Sequence, residues 1–175
     1  MERDGASVPT AAQPCPGCGV AYPDSALPGH AYIGASSGCW ARYGELLALE
    51  YSDPRLMRWH RLTVDAYTAQ HPGVPGRRSA QSVHVHLAGL YLVLERGLDP
   101  PAVARAMQAL TDGRTQRWLE PPPLALPAGL ETALAAAAGE DYPAAVRAWA
   151  EGVWAAWEPH HATIRAEAES VLTSH

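Results

Sequence analysis

The chain of 175 residues contains no phenylalanine, and all 13 of its basic residues are arginine. Six tryptophans and seven tyrosines must therefore supply the aromatic volume of any core. Together with the abundance of alanine, proline and glycine, this pattern reads as genome base composition, and no function follows from it. Clustered positive charge is also lacking: the net charge is −5 and the isoelectric point is near 5.9. A protein that tracks a phosphate backbone needs such clustering, so no nucleic-acid partner is expected. The one dense basic spot, Arg77-Arg78, reads as a solvated loop or a surface ion pair, with an anion site as the alternative. No apolar run approaches membrane-spanning length, and Met1 to Gly5 lacks the positive start of a signal peptide. The expectation is a cytoplasmic protein without a membrane partner. Nucleophile elbow, phosphate loop, dinucleotide fingerprint, HExxH pattern and internal repeats are missing too, which excludes the familiar motif-bearing enzymes.

Cysteine is scarce, at three residues, and its placement is informative. In a reducing compartment an odd number that includes a Cys-x-x-Cys reads as metal binding or redox chemistry and not as a disulfide scaffold. The redox alternative lacks the βαβ surroundings of a thioredoxin-like fold. In Cys15-Pro16-Gly17-Cys18-Gly19 a tight bend carries two thiolates, and the final glycine can turn left-handed so that amide N–H groups point at sulfur. Cys39 opens the first helix, where free N–H groups and the helix dipole favour the thiolate. Tetrahedral zinc requires a fourth ligand. His30 completes Cys-x2-Cys-x11-His-x8-Cys, so the expected metal set is Cys15, Cys18, His30 and Cys39. Asp24, a histidine from the bundle, or water are the alternatives to His30, and water would make the site catalytic. Zinc suits mixed sulfur and imidazole donors better than iron.

With 47% apolar residues, one domain with a real core is the default. Residues 1–14 read as a disordered tail, residues 15–37 as a metal-binding knuckle, and residues 38–175 as a helical bundle that forms one domain with the knuckle. A serine at 36 or 37 caps a helix to about Glu50, and Asp53-Pro54 starts a second to about His71. A third runs from Ser79 to Gly97, and a fourth, short one from Asp99-Pro100 to about Asp112-Gly113. Prolines 121, 122, 123 and 127 mark an extended connection, followed by a small helix near 130–138. The longest pattern, Tyr142 to Leu172, is interrupted at Pro159, which should bend or split it. The fold class is all-α, a helical bundle with an irregular N-terminal zinc knuckle.

Histidines 60, 71, 84, 86, 160 and 161 lie on three predicted helices, most flanking buried stripes, which is how bundles build metal sites. His60 and His71 are too far apart along one helix to share an ion, and His84 and His86 diverge around theirs. If the second and third helices form an antiparallel hairpin near residue 75, His86 faces the level of Val64 and Asp65. His86 with His160 and His161 is therefore the candidate second site, against the reading of a polar seam with satisfied imidazoles. Tryptophans 149, 154 and 157 read as core before they read as a pocket.

The chain resembles an uncharacterised bacterial family, a domain of unknown function, whose members open on a Cys-Pro-x-Cys-Gly knuckle. The matching elements are Cys15 to Gly19, His30-Ala31-Tyr32, Gly38-Cys39-Trp40, Leu62 to Tyr67, Gln70-His71-Pro72, Gln81-Ser82-Val83 with His86-Leu87, and Pro159 to Ala162. The resemblance implies that His30, His71, His86 and His160 belong to the family pattern, and it implies no reaction. Two functions remain in view. The first is a zinc-stabilised helical protein that binds a small molecule or a partner protein. The second is a metal-dependent enzyme of hydrolase or thiol-transferase type with a histidine-lined site in the bundle, an analogy of fold class alone.

Overall fold

The computed structural model describes residues 12–111 and 115–173. Gln13–Pro14 (β1) and Ala21–Tyr22 (β2) form a minimal antiparallel ribbon, and the helices are Ser37–Ser52 (α1), Pro54–Met57 (α2), His60–Gln70 (α3), Arg77–Leu94 (α4), Pro100–Thr111 (α5), Leu130–Ala136 (α6), Tyr142–Ala156 (α7) and His161–Leu172 (α8). The all-α expectation holds, with the ribbon as an addition. Most of the tail expected over 1–14 lies outside the described residues, and so does the helix end expected at Asp112-Gly113. Gln13 and Pro14, assigned to that tail, instead pair with Tyr22 and Ala21.

Local chemistry sets most helix boundaries. Ser36 Oγ accepts from the Cys39 N–H at 3.2 Å and caps α1. Asp53 Oδ1 accepts from the Arg55 N–H at 2.9 Å, with Pro54 in the first turn of α2. The single helix expected from Pro54 to His71 is broken at Arg58-Trp59. The first turn of α3 faces a buried acid. Glu50, fully inaccessible, accepts from Thr63 Oγ1 at 2.7 Å and Tyr142 Oη at 2.6 Å, and its Oε2 lies 2.7 Å from His60 Nδ1. Pro159 splits the C-terminal helical run, with a turn of 3₁₀ helix over Glu158–His160 between α7 and α8.

The core is centred on α3, which packs against α4, α5 and α7, while α8 closes over α4 and α5. Leu62, Tyr67, Leu87, Leu90, Trp149, Trp157 and Ile164 are its large, fully buried side chains. The tryptophans are core with satisfied N–H groups: Trp149 Nε1 donates to Gln70 Oε1 at 2.9 Å, Trp157 Nε1 to the Ala69 carbonyl at 3.1 Å, and Trp154 Nε1 to Glu95 at 2.9 Å. The proline-rich connection over 115–129 is held to the bundle through its backbone carbonyls. Gln70 Nε2 donates to Leu124 at 2.9 Å, and the Nε2 atoms of His84 and His160 lie 2.9 Å from the carbonyls of Arg117 and Glu120. Leu119 and Leu124 point into the core beside these anchors. No helix among the described residues is long and apolar enough to cross a membrane.

Candidate metal centre

Cys15 and Cys18 sit on the turn between the two ribbon strands. The Cys15 N–H donates to the Val20 carbonyl and the Gly19 N–H to the Cys15 carbonyl, both at 2.9 Å. Gly19 has φ +76°, the left-handed region in which a side chain would be strained. Gly17 is required for a different reason. A Cβ there would lie 2.3 Å from His71 Cδ2 and 2.7 Å from the Gln70 carbonyl oxygen, so only glycine lets the turn press against the end of α3. Cys39 is in the first turn of α1, held by the Ser36 cap.

Three sulfurs and one imidazole nitrogen converge here. Sγ of Cys15, Cys18 and Cys39 and a ring nitrogen of His71 all lie within 4.8 Å of one another. Cys18 and Cys39 are 3.9 Å apart, nearly twice a disulfide bond, and all three cysteines are free. Cys39 Sγ lies 3.5 Å from His71 Nε2 and 3.5 Å from Tyr67 Oη. Cys15, Cys39 and His71 are buried and Cys18 is half-buried. His71 Nδ1 donates to the Tyr67 carbonyl at 2.7 Å, which leaves the Nε2 lone pair aimed at the sulfurs. The Tyr67 ring stacks on Tyr43 at 3.8 Å, so the wall behind the cluster is aromatic.

In protons alone this cluster is electrostatically crowded. Hydrogen bonds from the Cys18 and Cys39 thiols push the Cys15 thiol well below its ordinary value, with His71 adding to the effect. The Cys15 and Cys18 sulfurs, with burial, push the Cys39 thiol well up. Burial disfavours the charged His71 ring, but hydrogen bonds to the Cys15 and Cys18 sulfurs outweigh it and carry its pKa up to about 9. The crowding thus favours a thiolate at Cys15 and holds the Cys39 sulfur as a thiol. A dication would replace the remaining protons and let all three sulfurs ionise together.

The fourth member of the cluster is His71, one of the bundle histidines named as alternatives, and not the His30 that the spacing favoured. The His30 ring packs against Tyr32 and Trp40, with centroids 4.4 and 5.0 Å away, outside the cluster. Asp24 is outside it as well, 3.5 Å from Ser37 Oγ. The cause is a backbone crossing. The Gly34 N–H donates to the His71 carbonyl at 3.0 Å, and a Cβ on Gly34 would lie 2.7 Å from Gly73 Cα. That close approach draws the end of α3 under the knuckle, while residues 24–33 loop around the outside. No spacing rule reaches a ligand 32 residues beyond Cys39. The only sequence signal for His71 was its place, in Gln70-His71-Pro72, in the family pattern.

His86, His160 and His161 do not converge. His86 Nδ1 lies 2.7 Å from Asp65 Oδ1, as the hairpin register implies. His160 is tied to the Glu120 carbonyl. His161 Nε2 donates to the Trp154 carbonyl at 2.8 Å, and its ring stacks on Trp154 at 3.7 Å. Each of the three rings is bonded to a different element, and none bonds to another of the three. Among the described residues the Cys15, Cys18, Cys39 and His71 set is the metal-competent group.

Residues 13–158 match the family of unknown function DUF5946. The chain belongs to this family. The match takes in all four members of the cluster together with Asp65 and His86, and it stops short of His160 and His161. No curated protein and no solved structure matches the chain.

Proposed function

We propose that the Cys15, Cys18, Cys39 and His71 centre holds zinc in a structural role, and that the protein acts by binding a small molecule or a partner protein on the bundle it stabilises. The observation that carries this reading is a set of four protein donors whose atoms all lie within 4.8 Å of one another. A zinc ion bonded to sulfur at about 2.3 Å and to nitrogen at about 2.0 Å has ligand-to-ligand edges of roughly 3.8 Å and 3.5 Å. The Cys18 to Cys39 and Cys39 to His71 separations are 3.9 and 3.5 Å. Structural zinc sites use four protein ligands, whereas catalytic sites leave one position to water. Three sulfurs and an imidazole are also the donor set that favours zinc over hard, oxygen-seeking cations.

The ion would supply folding free energy to a segment with almost no regular structure of its own, residues 15–36. It would tie this leader to the start of α1 and the end of α3 together. Free thiols serving as ligands need a reducing compartment, so a cytoplasmic setting is part of the proposal. Elemental analysis of protein purified without added metal should find one zinc per chain. A strong chelator should lower the thermal midpoint, and added zinc should restore it. Metal-free protein that folds with the same midpoint overturns the reading.

A further inference from the structure

A second polar group joins the facing flanks of α3 and α4. Asp65 is fully buried, and its carboxylate takes the Arg61 guanidinium in two bonds, Nε to Oδ2 at 2.9 Å and Nη2 to Oδ1 at 2.6 Å. The same Oδ1 lies 2.7 Å from His86 Nδ1. A close helix approach makes this possible. A Cβ on Gly89 would lie 2.2 Å from Asp65 Oδ2, so glycine on α4 leaves the space that the carboxylate fills. A carboxylate can only accept, so Nδ1 of His86 carries the shared proton, and in the neutral ring Nε2 keeps its lone pair. That Nε2 has no partner among the described residues.

His86 lines a cavity of about 470 Å³ with Tyr32, Arg78, Gln81, Ser82 and Val85. The volume is in the range of small-molecule sites. Arg78 is exposed and pairs with no acid among the described residues, unlike Arg42, Arg61 and Arg165. None of the lining residues is acidic. The buried Ser82 hydroxyl has no hydrogen-bond partner among the described residues, so it is not bonded to His86. The pattern is one of recognition: a free guanidinium, a fixed proton acceptor and neutral polar groups around one concavity.

We propose that this cavity binds a small organic oxyanion, a carboxylate or a phosphate monoester, with Arg78 taking the anionic group and His86 Nε2 accepting a hydrogen bond from a donor on the same ligand. The proposal deepens the small-molecule reading above and rests on it, and it does not depend on the metal. The buried Asp65 serves as the positioning residue that fixes which nitrogen of His86 is free.

Nitrogen-15 spectra of the imidazole rings in the full-length protein, titrated with phenyl phosphate and with benzoate at constant ionic strength, test it. At least one anion should shift the His86 ring saturably. Arg78→Ala should weaken that binding by about tenfold, as expected for loss of a charge-assisted pair. The neighbouring Arg77→Ala removes the same charge and should change it less than about twofold. His86→Asn keeps an N–H toward Asp65 and removes Nε2; read by calorimetric titration, it should weaken 3-hydroxybenzoate, whose hydroxyl is the donor, and change benzoate less than about twofold. Failure of both anions to saturate overturns the proposal, as does equal weakening by Arg77→Ala and Arg78→Ala, which would mark a diffuse field. Zinc content measured on the same samples separates the two proposals: a zinc-free protein that still discriminates Arg78 from Arg77 rejects the structural-zinc reading and leaves this one standing.

Discussion

One helix, α3, serves two polar centres that differ in almost every respect. At its end, His71 joins sulfurs from the ribbon turn and from α1. In its middle, Asp65 joins its own Arg61 and His86 of the adjacent helix. The first centre draws soft donors from remote segments and crowds more potential negative charge than its single imidazole can neutralise. The second draws hard donors from neighbouring elements and balances its buried carboxylate with a guanidinium. Donor softness and charge balance, not the mere presence of histidine, separate a place for a cation from a place where every internal charge is already answered. The second centre then has one ring nitrogen, Nε2 of His86, without a partner among the described residues.

The comparison breaks most decisively at the fourth ligand. His71→Ala should abolish stoichiometric zinc and lower the thermal midpoint, whereas His30→Ala should keep one zinc per chain, both read by metal analysis and calorimetry. Retained zinc in His71→Ala, or lost zinc in His30→Ala, would return the site to the reading from spacing alone. A subtler insult to the same centre is Gly17→Ala. Its Cβ would collide with the His71 ring and the Gln70 carbonyl. Zinc affinity by competition with a chromophoric chelator should fall about 10- to 100-fold, the usual size of a perturbed ligand orientation.

The other centre should respond in stability and not in metal. Gly89→Ala drives a methyl group into the Asp65 carboxylate, and the urea midpoint should reveal a cost on the order of 2–4 kcal/mol with zinc content unchanged. The smallest effect belongs to a surface pair between α1 and α6, where Arg42 Nε and Nη2 donate to Glu131 at 2.9 Å. The Arg42 guanidinium holds the Glu131 carboxyl below its ordinary value. Its contribution is therefore complete above the usual carboxylate range and is lost as pH falls through the lowered value. Glu131 is about half exposed, so Glu131→Gln should cost below about 0.5 kcal/mol near neutrality, and less still in acid.

Sequence alone carried the convergence of the three sulfurs, the helical class, the Ser36 and Asp53-Pro54 starts, the split at Pro159 and the level at which His86 meets α3. All of these follow from rules acting within a few residues, or from the pitch of a helix folded back on itself. It did not carry the break at Arg58-Trp59, nor the burial of Glu50, whose partners His60, Thr63 and Tyr142 come from two other helices. Nor did it carry the choice of His71 over His30. That choice was made where the backbones of Gly34 and Gly73 cross, a contact between segments with no common periodicity. Short-range stereochemistry names the donors that can be offered. Only the packing of distant helix ends decides which of them stand close enough together to share one ion.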